Sequence, residues 1–229
     1  MKSRIISLFL ALMLICCAAF PGVAEESVDP DALLDALTGT YDELFTVICA
    51  PEYDDIWMER CTEYVGEAYA TATADMLKSA CVGEIYGQEA MDAYADNLEG
   101  VQFDCFFING VHQIAFDGHE VSGLDAEGNE VFRHTYSYVE TADTLACYIY
   151  KTDDADAGEF TYLCLAPDTP DTTYHIEFRY GSDLDALKQL YEGPYAYWLA
   201  AGILADADGA MIYNCIDLFC AENTAEEAA

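Results

Sequence analysis

The apolar residues of this chain change period at Gly100. Upstream they recur every three to four positions: Trp57, Cys61, Tyr64, Val65, Ala68, Ala72 and Met76 share one helical stripe, with Asp, Glu and Lys between them. Downstream they alternate, as strands with one buried face do. A chain patterned this way folds as α+β, helices first and an antiparallel sheet after, rather than as repeated βαβ units. Helices are expected at 31–37, 41–49, 53–80 and 88–95, the first opened by Pro30. Strands are expected at 101–108 and 111–116, joined by the hairpin dipeptide Asn109-Gly110, and at 121–124 and 131–139, joined across Asp125–Asn129. Further strands follow at 145–151, 159–165 and 173–180. Such a run of short strands makes an antiparallel meander, closed or nearly closed as a barrel. A last helix, 208–221, places Met211, Ile212, Cys215, Ile216 and Phe219 on one side, before a frayed acidic tail, 222–229.

The first 24 residues stand apart. Lys2 and Arg4 precede an apolar run, Ile5 to Phe20, and Gly22-Val23-Ala24 offers the small residues that a signal peptidase reads. Residues 1–24 are therefore expected to be a signal peptide, and Leu14 and Ile15 are not the small residues that precede a lipidated Cys16 or Cys17. Residues 25–229 are expected to form one domain, because no repeat and no Pro- or Ser-rich linker divides them. Its parts are a mainly helical 25–99, a β part 100–180 and C-terminal helices in 181–221. No later segment reaches the ~18 apolar residues of a membrane span. The expected location is extracytoplasmic, with no membrane insertion once the signal is removed. An even set of cysteines in such a chain predicts disulfides, although spacing prefers no pairing and no CxxC occurs.

Charge excludes one class of partner. Eight Lys and Arg stand against 43 Asp and Glu, a net charge of −35, and such a field repels nucleic acid while it concentrates cations. Enzyme signatures are absent: the sequence has no G-x-S-x-G, H-E-x-x-H, P-loop or G-x-G-x-x-G. The expectation is a binding protein, not an enzyme.

One segment could carry site chemistry. In a strand at 173–180, His175, Glu177 and Arg179 share one face, and an imidazole and a carboxylate two residues apart can share a small cation. Arg179 on the same face could instead neutralise Glu177. The strand ends at Gly181, Ser182 caps a helix built on Leu184, Leu187 and Leu190 or Tyr191, and Gly193-Pro194 stops it before Tyr195-Ala196-Tyr197-Trp198. This order of features resembles the end of the ZinT family. Those are periplasmic or secreted zinc- and cadmium-binding domains of calycin-like fold, also found at the C-terminus of AdcA-type zinc-uptake lipoproteins. The family has a His-x-His strand, an aromatic run, a Gly, a polar turn, a helix and a stretch rich in Trp, Pro and Tyr. Here the second His is Glu177, and Tyr162 to Ala166, where the family's third His would lie, contains none.

The resemblance implies a calycin-like antiparallel barrel with N- and C-terminal helices, and zinc or a similar divalent cation as ligand. His175 and Glu177 would be the metal ligands, with a third drawn from His134, His112 or Asp183 and water completing the shell. The implied role is scavenging, storage or delivery, with a metal-uptake transporter as a further partner. The alternative is a metal-free calycin-like module that holds a small ligand or partner protein against aromatic residues such as Phe103, Phe107, Phe116, Tyr136 and Tyr162.

Overall fold

Two meanders of antiparallel strands are stitched together by one five-residue strand. In the computed structural model, which describes residues 29–82, 103–142, 147–192 and 199–224, a nine-stranded sheet has the order β6-β5-β4-β1-β11-β10-β9-β8-β7. One meander is β4 (Gln113–Asp117), β5 (Glu120–Leu124) and β6 (Glu130–Thr135). The other is β7 (Ser137–Ala142), β8 (Cys147–Lys151), β9 (Tyr162–Leu165), β10 (Ile176–Gly181) and β11 (Ala200–Leu204). Between them β1 (Gly39–Glu43) pairs antiparallel with β4 on one side and β11 on the other. The outer strands β6 and β7 follow each other with only Tyr136 between them, so the sheet must curl until the end of β6 reaches the start of β7. The fold is α+β, with the antiparallel sheet curled into a half-barrel.

The inside of the curl is aromatic and aliphatic. Tyr41, Phe107, Ile114, Phe116, Phe132, Tyr136, Tyr150, Leu163, Ile176, Phe178 and Tyr180 form one cluster, joined by Leu33, Leu34 and Leu37 of α1 (Pro30–Ala36) and its cap. Burial of each such side chain contributes about 1.5–3 kcal/mol. Hydroxyls that enter this cluster keep partners: Tyr41 donates to the Leu37 carbonyl at 2.8 Å and Tyr150 to the Pro30 carbonyl at 2.6 Å. Of the aromatic residues proposed to line a ligand cavity, Phe107, Phe116 and Tyr136 belong to this packed core, whereas Tyr162 packs on the outer side of the sheet. There, α6 (Leu184–Glu192) lays Leu187 over Cys147, Ile149 and Cys164.

The chain separates into two compact units. The sheet unit takes residues 24–47 and 105–207; the other takes 48–104 and 208–229. The second unit is helical: α3 (Asp54–Val65), α4 (Glu67–Ala80) and α7 (Gly209–Thr224), with a small parallel pair of β2 (Cys81–Val82) and β3 (Phe103–Asp104). Trp57, fully buried, donates its indole N–H to the Ile48 carbonyl at 2.8 Å and meets Phe219 edge-on with centroids 6.1 Å apart.

Several expected elements are redrawn. The helix expected at 41–49 is β1 followed by α2 (Leu44–Ile48). The helix at 53–80 breaks at Gly66, whose φ of 82° ends α3 after its N–H reaches the Thr62 carbonyl. Asn109-Gly110 does form a tight turn, with both residues at positive φ and the Val111 N–H on the Ile108 carbonyl at 3.2 Å. It does not join a hairpin, because both edges of β4 are already used by β1 and β5. Residues 131–139 are two strands with different partners, and 200–204, expected within a helical C-terminal part, is β11 at the centre of the sheet. The expected signal peptide, the helix at 88–95 and the Tyr195–Trp198 stretch lie outside the described residues.

Gly123 of β5 sits directly opposite Phe132 of β6. A Cβ there would come within 2.8 Å of the Phe132 ring and 3.0 Å of Val111, and that ring cannot yield because it stacks on Phe160 with centroids 4.0 Å apart. Gly123→Ala is therefore expected to destabilise the sheet unit by about 1–3 kcal/mol, read as a lower urea midpoint.

Candidate metal centre

The backbone reverses just before β10. Pro170–Thr173 forms a single helical turn, α5, and Tyr174 ends it in the left-handed conformation at φ 65°. The strand begins at Ile176, not at Thr173 as the alternation suggested. His175 therefore lies in the turn. Reciprocal hydrogen bonds hold it: the His175 Nδ1–H donates to the Thr173 carbonyl at 2.7 Å, and the Thr173 hydroxyl donates to the His175 carbonyl at 2.6 Å. With Nδ1 committed as a donor, the neutral ring carries its lone pair on Nε2.

That nitrogen faces Glu177. Nε2 and Oε1 are 3.6 Å apart, longer than the 2.7–2.9 Å of a charge-assisted hydrogen bond. Two ligands about 2.1 Å from one tetrahedral ion stand roughly 3.4 Å apart, so the gap has the bite of a shared cation. The His175 side chain is 14% exposed and that of Glu177 33%, which leaves an approach from solvent on the carboxylate side. Both point away from the barrel interior, because Ile176 and Phe178 are the inward residues of this strand.

Electrostatics favour positive charge at this place. Burial disfavours the imidazolium, but the Glu177 carboxylate, the charge of Asp168 and the Thr173 carbonyl outweigh it and raise the His175 pKa above its ordinary 6.5. Asp168 is the residue that sequence reasoning missed. It lies in the link between β9 and α5, where no periodicity marks which side chain will return to β10.

The other expected ligands have separate places. His134 of β6 shares its side of the strand with Phe132 and Tyr136, which face inward; it is 9% exposed, stacks on Phe132, and its Nδ1 lies 2.9 Å from Asp154. Through Phe132 and Phe160 it connects to Tyr180, at the end of β10 remote from His175. His112, just before β4, has Nδ1 3.3 Å from Glu43 of β1, with β1 and β11 intervening between β4 and β10. Burial pushes the Glu43 carboxyl up, against the opposing effects of His112 and of the Phe107 N–H at 3.0 Å. Asp183 caps α6, the role expected of Ser182, by accepting the Ala186 N–H at 2.9 Å. Arg179 is 1% exposed on the face covered by α6. Among the described residues no group of three or more His, Cys, Asp or Glu is arranged to hold a metal ion.

No protein-family model and no curated protein matches this chain. The solved structures similar to it include two from one organism. The Zn(II)-bound ZinT-like domain of Streptococcus pneumoniae AdcA aligns at TM-score 0.47 and 12% identity, over 84% of this chain and 89% of that one. Zn(II)-bound AdcA from the same organism aligns at TM-score 0.47 and 14% identity, over 88% of this chain and 41% of that one.

Glu177→Gln removes the strongest influence that favours protonation while burial stays. The His175 pKa is then expected to fall towards or below 6.5, followed by imidazole NMR against pH. In the unaltered protein the raised pKa stabilises the fold below about pH 6.5, the unfolded value, and this contribution is lost as pH rises through the folded pKa.

Proposed function

We propose that this chain is an exported binding protein for zinc or a similar divalent cation, which it holds for scavenging, storage or delivery. One observation carries the reading: an imidazole locked by a backbone carbonyl into the tautomer that presents Nε2, 3.6 Å from a carboxylate. A ligating histidine is oriented in just this way by the hydrogen bond of its other nitrogen. Imidazole plus carboxylate suits zinc better than calcium or magnesium, which take oxygen alone.

His175 and Glu177 supply two ligands and water completes the shell. Such a site binds more weakly than a closed four-ligand centre and exchanges its ion readily, which fits carriage better than structural use. The −35 charge raises the local cation concentration and speeds encounter. Release to a metal-uptake transporter is part of this proposal, and so is the absence of catalysis.

Binding must displace the His175 proton, so affinity is expected to fall as pH drops through the raised His175 pKa. Competition with a chromophoric zinc chelator at pH 7.5 should show one zinc per chain. His175→Ala should weaken it by about a hundredfold and Glu177→Ala by about tenfold or more, while His134→Ala leaves it unchanged. Equal zinc affinity in His175→Ala would refute the assignment.

A further inference from the structure

Two thiols meet inside the helical unit. Cys61 of α3 and Cys220 of α7 are both fully buried, and their Sγ atoms are 3.8 Å apart. Independent contacts pin the two helices on either side of them. Trp57, one turn before Cys61, packs on Phe219, and Arg60, the neighbour of Cys61, reaches Asp217 at 3.0 Å, one turn before Cys220. The sulfurs therefore sit in a seam that cannot open without losing a buried tryptophan and a buried guanidinium. Their separation is van der Waals contact; a disulfide needs about 2.05 Å, an approach that side-chain rotation with a small helix shift supplies.

We propose that Cys61 and Cys220 are joined as a structural disulfide, formed by exchange with a disulfide-bearing oxidant. During folding, before the seam closes, the Cys61 thiolate attacks one sulfur of the oxidant, forming a mixed disulfide and releasing one thiolate. Cys220 then attacks Cys61 Sγ, and the second thiolate leaves. The two protein thiols lose two electrons to the oxidant, and their two protons go to the released thiolates. The two thiols share one contact at hydrogen-bond distance for sulfur, in which either Sγ can be the donor. Elsewhere, Cys164 of β9 faces Ile149 rather than Cys147, a diagonal placement about 7–8 Å across that a disulfide does not span.

The bond would tie residues 159 positions apart and so constrain most of the unfolded chain. The purified full chain is reduced in urea, refolded by dilution into glutathione disulfide, quenched in acid, unfolded, alkylated and mapped without reduction. The expected product is a peptide pair linked through Cys61 and Cys220, with a mass about 2 Da below that of the two free thiol peptides. Reduction should lower the melting temperature by about 5 °C or more, a difference absent in Cys220→Ala. Recovery of both residues as alkylated thiols overturns the proposal. So does either residue joined to glutathione or to another cysteine. The map needs no variant, so a substitution that fails to fold leaves the test intact.

Discussion

The sheet depends on a strand that forms two ladders at once. β1 is five residues long, yet its backbone is the only hydrogen-bonded bridge among the described residues between the β4–β6 meander and the β7–β11 meander. Its inward residues match that position. Tyr41 fills the core with its hydroxyl satisfied by Leu37, and Glu43, 7% exposed, takes the Phe107 N–H and faces His112. A buried carboxylate is costly without such partners, so the residues around it are held in register by the need to supply them. The second junction is covalent. The chain passes from β6 to β7 through Tyr136, whose N–H reaches the His119 carbonyl at 2.9 Å and so ties this corner to the β4–β5 turn.

The candidate metal centre depends on a turn rather than on a strand. A non-glycine residue in the left-handed region costs about 1–2 kcal/mol, and Tyr174 adopts it between the two residues that exchange hydrogen bonds, Thr173 and His175. The strain is offset locally. Its effect is to fold the imidazole back so that Nε2 meets the side chain two residues on. Continuous strand geometry would place the two side chains on one face but leave the imidazole tautomer and rotation unset. The turn sets both, which is the kind of preorganisation that a ligand site needs.

Two of the scarce cations occupy packed places. Of eight basic residues in the chain, Arg60 is 8% exposed among Glu59, Glu63 and Asp217, with its guanidinium 5.1 Å over the Tyr213 ring, and Arg179 is 1% exposed beneath α6. Guanidinium groups serve in such seams because they hold several carboxylates in fixed geometry and cannot be neutralised. The surface is left overwhelmingly anionic.

Local pattern alone determined much of this protein. The strands β4 and β6, the helix α6 and the C-terminal helix are visible because each has one buried face and a turn or cap residue at its ends. The pair His175 and Glu177 was legible for the same reason, as two polar positions on one side of an apolar alternation. Tertiary structure decided the rest. Ala200–Leu204 is buried along nearly its whole length, so its short apolar run carries no period, and Gly39–Glu43 has too few apolar residues to announce a central strand. The left-handed turn at Tyr174, the approach of Asp168, and the separation of His134 and His112 from His175 follow from sheet order and from which face each strand buries. Those are long-range pairings, and no window of local sequence contains them.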